Sequence, residues 1–119
     1  MRLLEVGRLN KRVKFFKFSE VEDDLGQSTN GLVLVGTYWC TLNPIRGSEF
    51  YELRKIESNV THKCFVRWRE ALSSVDTNWF LEYDGKYYSV DYAMDIELAH
   101  ELIEIRCTEH INKEDIIHE

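Results

Sequence analysis

The stretch Trp79-Phe-Leu-Glu-Tyr-Asp-Gly-Lys-Tyr-Tyr-Ser-Val-Asp-Tyr92 constrains the fold of this chain more than any other. Glycine adopts positive φ freely and aspartate tolerates it, so Asp84-Gly85 fits the type I′ turn that closes a two-residue hairpin. The flanking Trp79, Phe80, Leu81, Tyr83, Tyr87, Tyr88, Val90 and Tyr92 favour a pleated, half-buried surface. A hairpin in this position sets a register against which the remaining segments pair. No reactive cluster accompanies it, which points away from catalysis and towards a role in assembly.

Further strands follow from alternation. Lys11–Phe18 places Val13 and Phe15 on one face and Phe16 and Phe18 on the other, a strand with apolar neighbours on both sides. Leu32–Leu42 is the strongest central-strand segment, with Gly36 at a bulge or bend and Asn43-Pro44 ending it, because proline cannot donate to a ladder. Between them the polar, acidic Ser19–Gly31 reads as a thirteen-residue loop. Ser48 is placed to cap a short helix over 49–58, whose Phe50, Leu53 and Ile56 form one narrow apolar stripe. Val60–Arg69 alternates, with Val60, His62, Cys64, Val66 and Trp68 on one face and Thr61, Lys63, Phe65, Arg67 and Arg69 on the other. A turn region over 70–77 precedes the hairpin, and His100–Thr108 forms a last strand before a charged tail. The expected fold is mainly β: one domain over 1–119, a small six-stranded barrel or sandwich with one short helical insertion, its core spanning about 7–109 and its tail 110–119.

Composition decides among function classes. The 44% hydrophobic and 13% aromatic content argues against a disordered chain, and 119 residues allow one genuine core. The formal net charge of −6 argues against non-specific duplex binding, which depends on Lys and Arg neutralising phosphates. An acidic wall instead lets DNA pass without sticking. The three cysteines, Cys40, Cys64 and Cys107, form no Cys-x-x-Cys pair and read as reduced, buried small hydrophobes of a cytoplasmic protein. With no signal segment in view, Asn59-Val60-Thr61 is a chance glycosylation match, and no apolar run approaches a membrane span.

Little in the chain points to reactive chemistry. His62 and Cys64 share a strand face, but Val60, Val66 and Trp68 on the same face mark it as core, so no metal site is expected. His100, His110 and His118 read as solvent-exposed. Gly47-Ser48-Glu49 lacks the Gly-x-Ser-x-Gly elbow, no phosphate loop or dinucleotide fingerprint is present, and no cofactor is expected. A catalytic pair cannot be picked out by spacing among 21 acidic residues, and a metal-dependent hydrolase is the weakest of the readings. The alternative with most support is a single-stranded nucleic-acid-binding barrel using Lys63, Phe65, Arg67 and Arg69 on one strand face, aided by the basic Arg8–Lys17 region.

Taken in order, Gly7-Arg8-Leu9-Asn10-Lys11-Arg12-Val13, the strand ending Tyr38-Trp39-Cys40-Thr41-Leu42, Gly47-x-Glu49, Val60-Thr61-His62 with Arg67, Tyr83-Asp84-Gly85-Lys86-x-Tyr88 and Leu102…Cys107-Thr108-Glu109 resemble the head–tail connector proteins of tailed bacteriophages, also called head-closure, head–tail joining or adaptor proteins. The resemblance covers about Gly7 to Glu109. Relatives often carry Gly or Pro in the turn that here runs Glu70–Thr77 without either, and the C-terminal extension is a further departure. It implies a virion protein, made in the host cytoplasm, that self-associates into a ring beneath the portal. The ring joins the DNA-filled head to the tail, with portal and tail-completion proteins as partners and DNA passing through without sequence-specific binding. Glu22, Asp23 and Asp24 in one insertion, and Ser48, Glu49, Tyr51, Arg54 and Lys55 in the other, are the candidate assembly or channel contacts. One of the segments 19–31 and 43–59 is expected to face the channel, and the sequence does not choose between them.

Overall fold

In the computed structural model, which describes residues 8–22, 24–26, 28–45 and 60–110, the chain forms six strands. They are β1 (Lys11–Glu22), β2 (Ser28–Pro44), β3 (His62–Arg67), β4 (Trp79–Tyr83), β5 (Lys86–Asp95) and β6 (Leu102–His110). All neighbours are antiparallel, and the order β1-β2-β3-β6-β5-β4 closes on itself. The architecture is therefore a barrel and not a sandwich. Closure gives every strand two partners and removes the edges that a small open sheet would expose.

The interior follows from strand alternation. Val13 and Phe15 of β1, Cys40 and Leu42 of β2, Cys64 and Val66 of β3, Leu81 of β4, Tyr88 and Val90 of β5, and Ile103, Ile105 and Cys107 of β6 pack into one core. Leu72, in the 3-10 turn Glu70–Leu72, and Trp79 complete it. The hairpin forms as its residues dictate: Tyr83 pairs with Lys86, and Asp84 and Gly85 take φ of 52° and 76°. The three thiols are free and buried. A bulge falls beside Gly36, where Phe15 faces Gly36 but Phe16 faces Leu34. Glycine is required there by close approach, since a Cβ would lie 2.6 Å from the Tyr38 hydroxyl. Tyr38 has little room to retreat, being edge-on to Phe15 at 5.5 Å and beneath Arg69 at 4.8 Å.

Three expectations are corrected. Most of Ser19–Gly31 is strand: the β1–β2 ladder continues from Ser19↔Gly31 to Glu22↔Ser28, leaving residues 23–27 as the connection. Backbone hydrogen bonds do not depend on side-chain polarity, so two strands already in register can extend through polar sequence. Because β4 pairs with β1 only from Lys14 to Lys17, and β3 with β2 only from Cys40 to Pro44, the far part of this hairpin is a two-stranded ribbon beyond the barrel. Second, Glu109 and His110 extend the last strand past Thr108, held by pairing with Tyr88 and Tyr87. Third, β5 runs on through a bulge at Val90/Tyr92 to Asp95, a stretch whose mixed residues hide its strand character. The predicted helix over 49–58 and the charged tail beyond His110 lie outside the described residues.

Candidate interaction surface

Arg8, Leu9 and Asn10 reach the start of β1 across the outer face of the barrel. With Trp39 of β2 and Arg67 and Arg69 at the end of β3 they line a groove of about 520 Å³. Trp39 is half exposed, and the Arg12 guanidinium stacks over its ring at 5.0 Å. No carboxylate lines the groove among the described residues. Arginine and tryptophan are the residue types that most often anchor protein contacts, because both combine a broad flat surface with hydrogen-bond donors.

A second cluster gathers the motif residues. Val60-Thr61-His62, Lys86-x-Tyr88 and Cys107-Thr108-Glu109, remote in sequence, meet where β3, β5 and β6 adjoin. The Thr61 N–H donates to Cys107 O at 3.0 Å, and Thr61 Oγ1 accepts from the Glu109 N–H at 2.8 Å. His62 Nδ1 lies 2.9 Å from the same hydroxyl, and its ring stands edge-on to Tyr88 at 5.0 Å. Lys86 Nζ approaches Glu109 at 3.8 Å. These motifs form a clamp that tethers the chain entering β3 to β6. Among the described residues, no group of three or more His, Cys, Asp or Glu side chains is arranged to hold a metal ion.

Burial sets the protonation of the interior. A hydrogen bond with Cys40, together with burial, pushes the Cys64 thiol well up, and burial pushes Cys107 up as well. Burial raises Tyr88 to about 12, with Glu109 adding to the effect. In each case folding favours the protonated group, while an unfolded thiol ionises near about 8.5. The stabilisation is therefore complete below that value and is lost as pH climbs towards the folded-state range. The melting temperature is expected to fall steadily above about pH 9, with a shallower decline in Cys64→Ala/Cys107→Ala. A flat profile to about pH 11 would contradict the assignment. His62 has the opposite sign: desolvation lowers its pKa, so stability declines as pH drops below about 6.5.

The sequence-predicted residues are dispersed. Glu22 ends β1 and Asp24 is exposed in the turn that follows, whereas Asp23, Ser48, Glu49, Tyr51, Arg54 and Lys55 lie outside the described residues. The nucleic-acid face expected on β3 does not stay open. Phe65 is only 8% exposed, packed with Ile96 and Leu102 and covered by Leu9, which leaves little ring for a base to stack upon. Lys63 Nζ lies over its ring, 5.9 Å from the centroid. Arg67 and Arg69 remain exposed but turn up in the groove with Trp39. Sequence reasoning misses Trp39 because alternation alone makes it an ordinary outward residue of a central strand. It also misses the β5–β6 connection. Glu97, Leu98 and His100 all hold positive φ there and Leu98 is 83% exposed, while His100 stacks on Trp68 at 4.3 Å and bonds Asp95.

A closed six-stranded barrel with a basic, aromatic groove on its wall and a ribbon projecting from it defines the class as a small all-β barrel domain. A scan against protein-family models matches the phage head completion protein family over residues 4–110, and the chain belongs to that family. No curated protein matches it. Among solved structures, protein SF1141 from Shigella flexneri 2a is similar with a TM-score of 0.67 and 18% identity, covering 91% of this chain and 98% of that one. A chain of the virion of a native gene transfer agent particle is similar with a TM-score of 0.58 and 14% identity, covering 89% and 99%. At these identities the two likenesses speak for the barrel fold.

Proposed function

We propose that this protein is a structural virion component that completes the DNA-filled head and joins it to the tail, acting by assembly and without turnover. Membership of the phage head completion family carries the reading, and the fold's likeness to a chain of a gene transfer agent virion supports it. The barrel suits such a role, since closure makes it rigid while the groove and ribbon stand outside the core and are free to make contacts. In this reading, copies assemble as a ring on the portal, tail-completion protein docks below, and DNA passes through the centre without sequence-specific contacts. Heterologous contacts repeated with rotational closure generate such rings.

Deleting the gene from the phage or prophage that encodes it is expected to yield packaged heads and free tails, with joining restored by the purified protein. Tailed, infectious particles formed in its absence would overturn the proposal.

A further inference from the structure

The ribbon and the groove are chemically matched and cannot meet within one chain. The ribbon's end carries Glu20, Glu22 and Asp24 in sequence, and its turn presents Asp24 and Leu25, the latter 83% exposed, with Gly26 at φ +78°. The groove offers the complement: Leu9 and Trp39 as apolar surface, ringed by Arg8, Arg67 and Arg69. Arg12 pairs with Trp39 near one end of the β1–β2 ladder, and Glu22 pairs with Ser28 at the other. That separation is roughly 30 Å at about 3.3 Å per residue. A ribbon that leads away from the groove along its own strands reaches a groove only on another copy.

We propose that the acidic, leucine-tipped end of the β1–β2 ribbon of one copy seats in the Arg8–Trp39–Arg67–Arg69 groove of the next. The contact is heterologous, because donor and acceptor surfaces differ, so it repeats head to tail and closes as a ring when the rotation permits. Leu25 meets the apolar floor and the carboxylates meet the guanidiniums, which bind carboxylates in a fork. The inference rests on the assembly reading above and names the surfaces it would use.

The test is sedimentation velocity of the full-length protein over a wide concentration range at low salt. Wild type is expected to self-associate, and added salt should weaken the association. Arg67→Glu/Arg69→Glu, with its groove reversed, and Glu22→Lys/Asp24→Lys, with its ribbon reversed, should each associate about tenfold or more weakly. Arg67, Arg69 and Asp24 are exposed, and an unchanged melting temperature confirms an intact fold in each variant. Mixing the two variants should restore association, since each supplies the charge the other needs. Two results overturn the contact. One is a wild type that stays monomeric at every concentration, which leaves the groove to a different partner. The other is association that neither reversal weakens. Neither result bears on head–tail joining in the gene deletion, so the contact and the function fail separately.

Discussion

Phe15→Ala is expected to lower the unfolding free energy by about 3–5 kcal/mol, the range for removing a fully buried phenyl ring. Phe15 has no solvent exposure. It sits at the junction of three strands, facing Gly36 of β2 and Leu81 of β4 and standing edge-on to Tyr38 at 5.5 Å. A closed barrel cannot collapse around the void, because moving one strand inwards would break the ladders on both its sides. A domain of this size has about 5–15 kcal/mol of stability in all, so the loss is a large share of it. In urea the midpoint should drop with little change in slope. Phe16→Ala, on the opposite and half-buried face, should cost clearly less. Equal losses at the two positions would contradict the assignment of faces.

Arg106→Met is expected to cost about 3 kcal/mol, at the lower end of the range for breaking a buried ion pair because Arg106 retains some contact with water. Its Nε donates to Glu104 Oε2 at 2.8 Å, and the Glu104 side chain is only 7% exposed. The pair lies on the outer face of β6, where Phe65, Ile96 and Leu102 form a small apolar cluster. Removing the guanidinium leaves a carboxylate covered by protein without its partner. The double variant Glu104→Leu/Arg106→Met removes both charges and should recover most of the loss, since replacing a buried pair by apolar groups is often near neutral. Denaturation of the two singles and the double closes the cycle. A single variant no worse than the double would show that the carboxylate is adequately hydrated.

How much is legible in the sequence varies with how local the signal is. The hairpin is readable because Asp84-Gly85 needs only its own backbone preferences, and both residues adopt positive φ. The buried face of β1 is readable because Val13 and Phe15 are two apart and a strand's period is two. Ser19–Gly31 is misleading because polarity suggests a loop, although the ladder bonds are made by the backbone and do not depend on side-chain polarity. The site is least legible. Phe65 alternates with basic residues as an exposed aromatic would, yet it is buried in a cluster with Ile96 and Leu102 against which Leu9 packs. Nothing local to Phe65 announces them.

From sequence alone came the strand faces, the closing turn, the bulge beside Gly36, the reduced cysteines inside the core and the connector resemblance, because each rests on residues within a few positions of one another or on their order along the chain. Tertiary structure alone decided that the sheet closes as a barrel, that the acidic insertion is a ribbon standing clear of it, that the motif residues Thr61, His62, Tyr88 and Glu109 form one clamp, and that Trp39 shares a groove with Arg8, Arg67 and Arg69. Those outcomes depend on which strands pair and in what register. That choice is made by the total burial of all six strands together, and no single segment carries it.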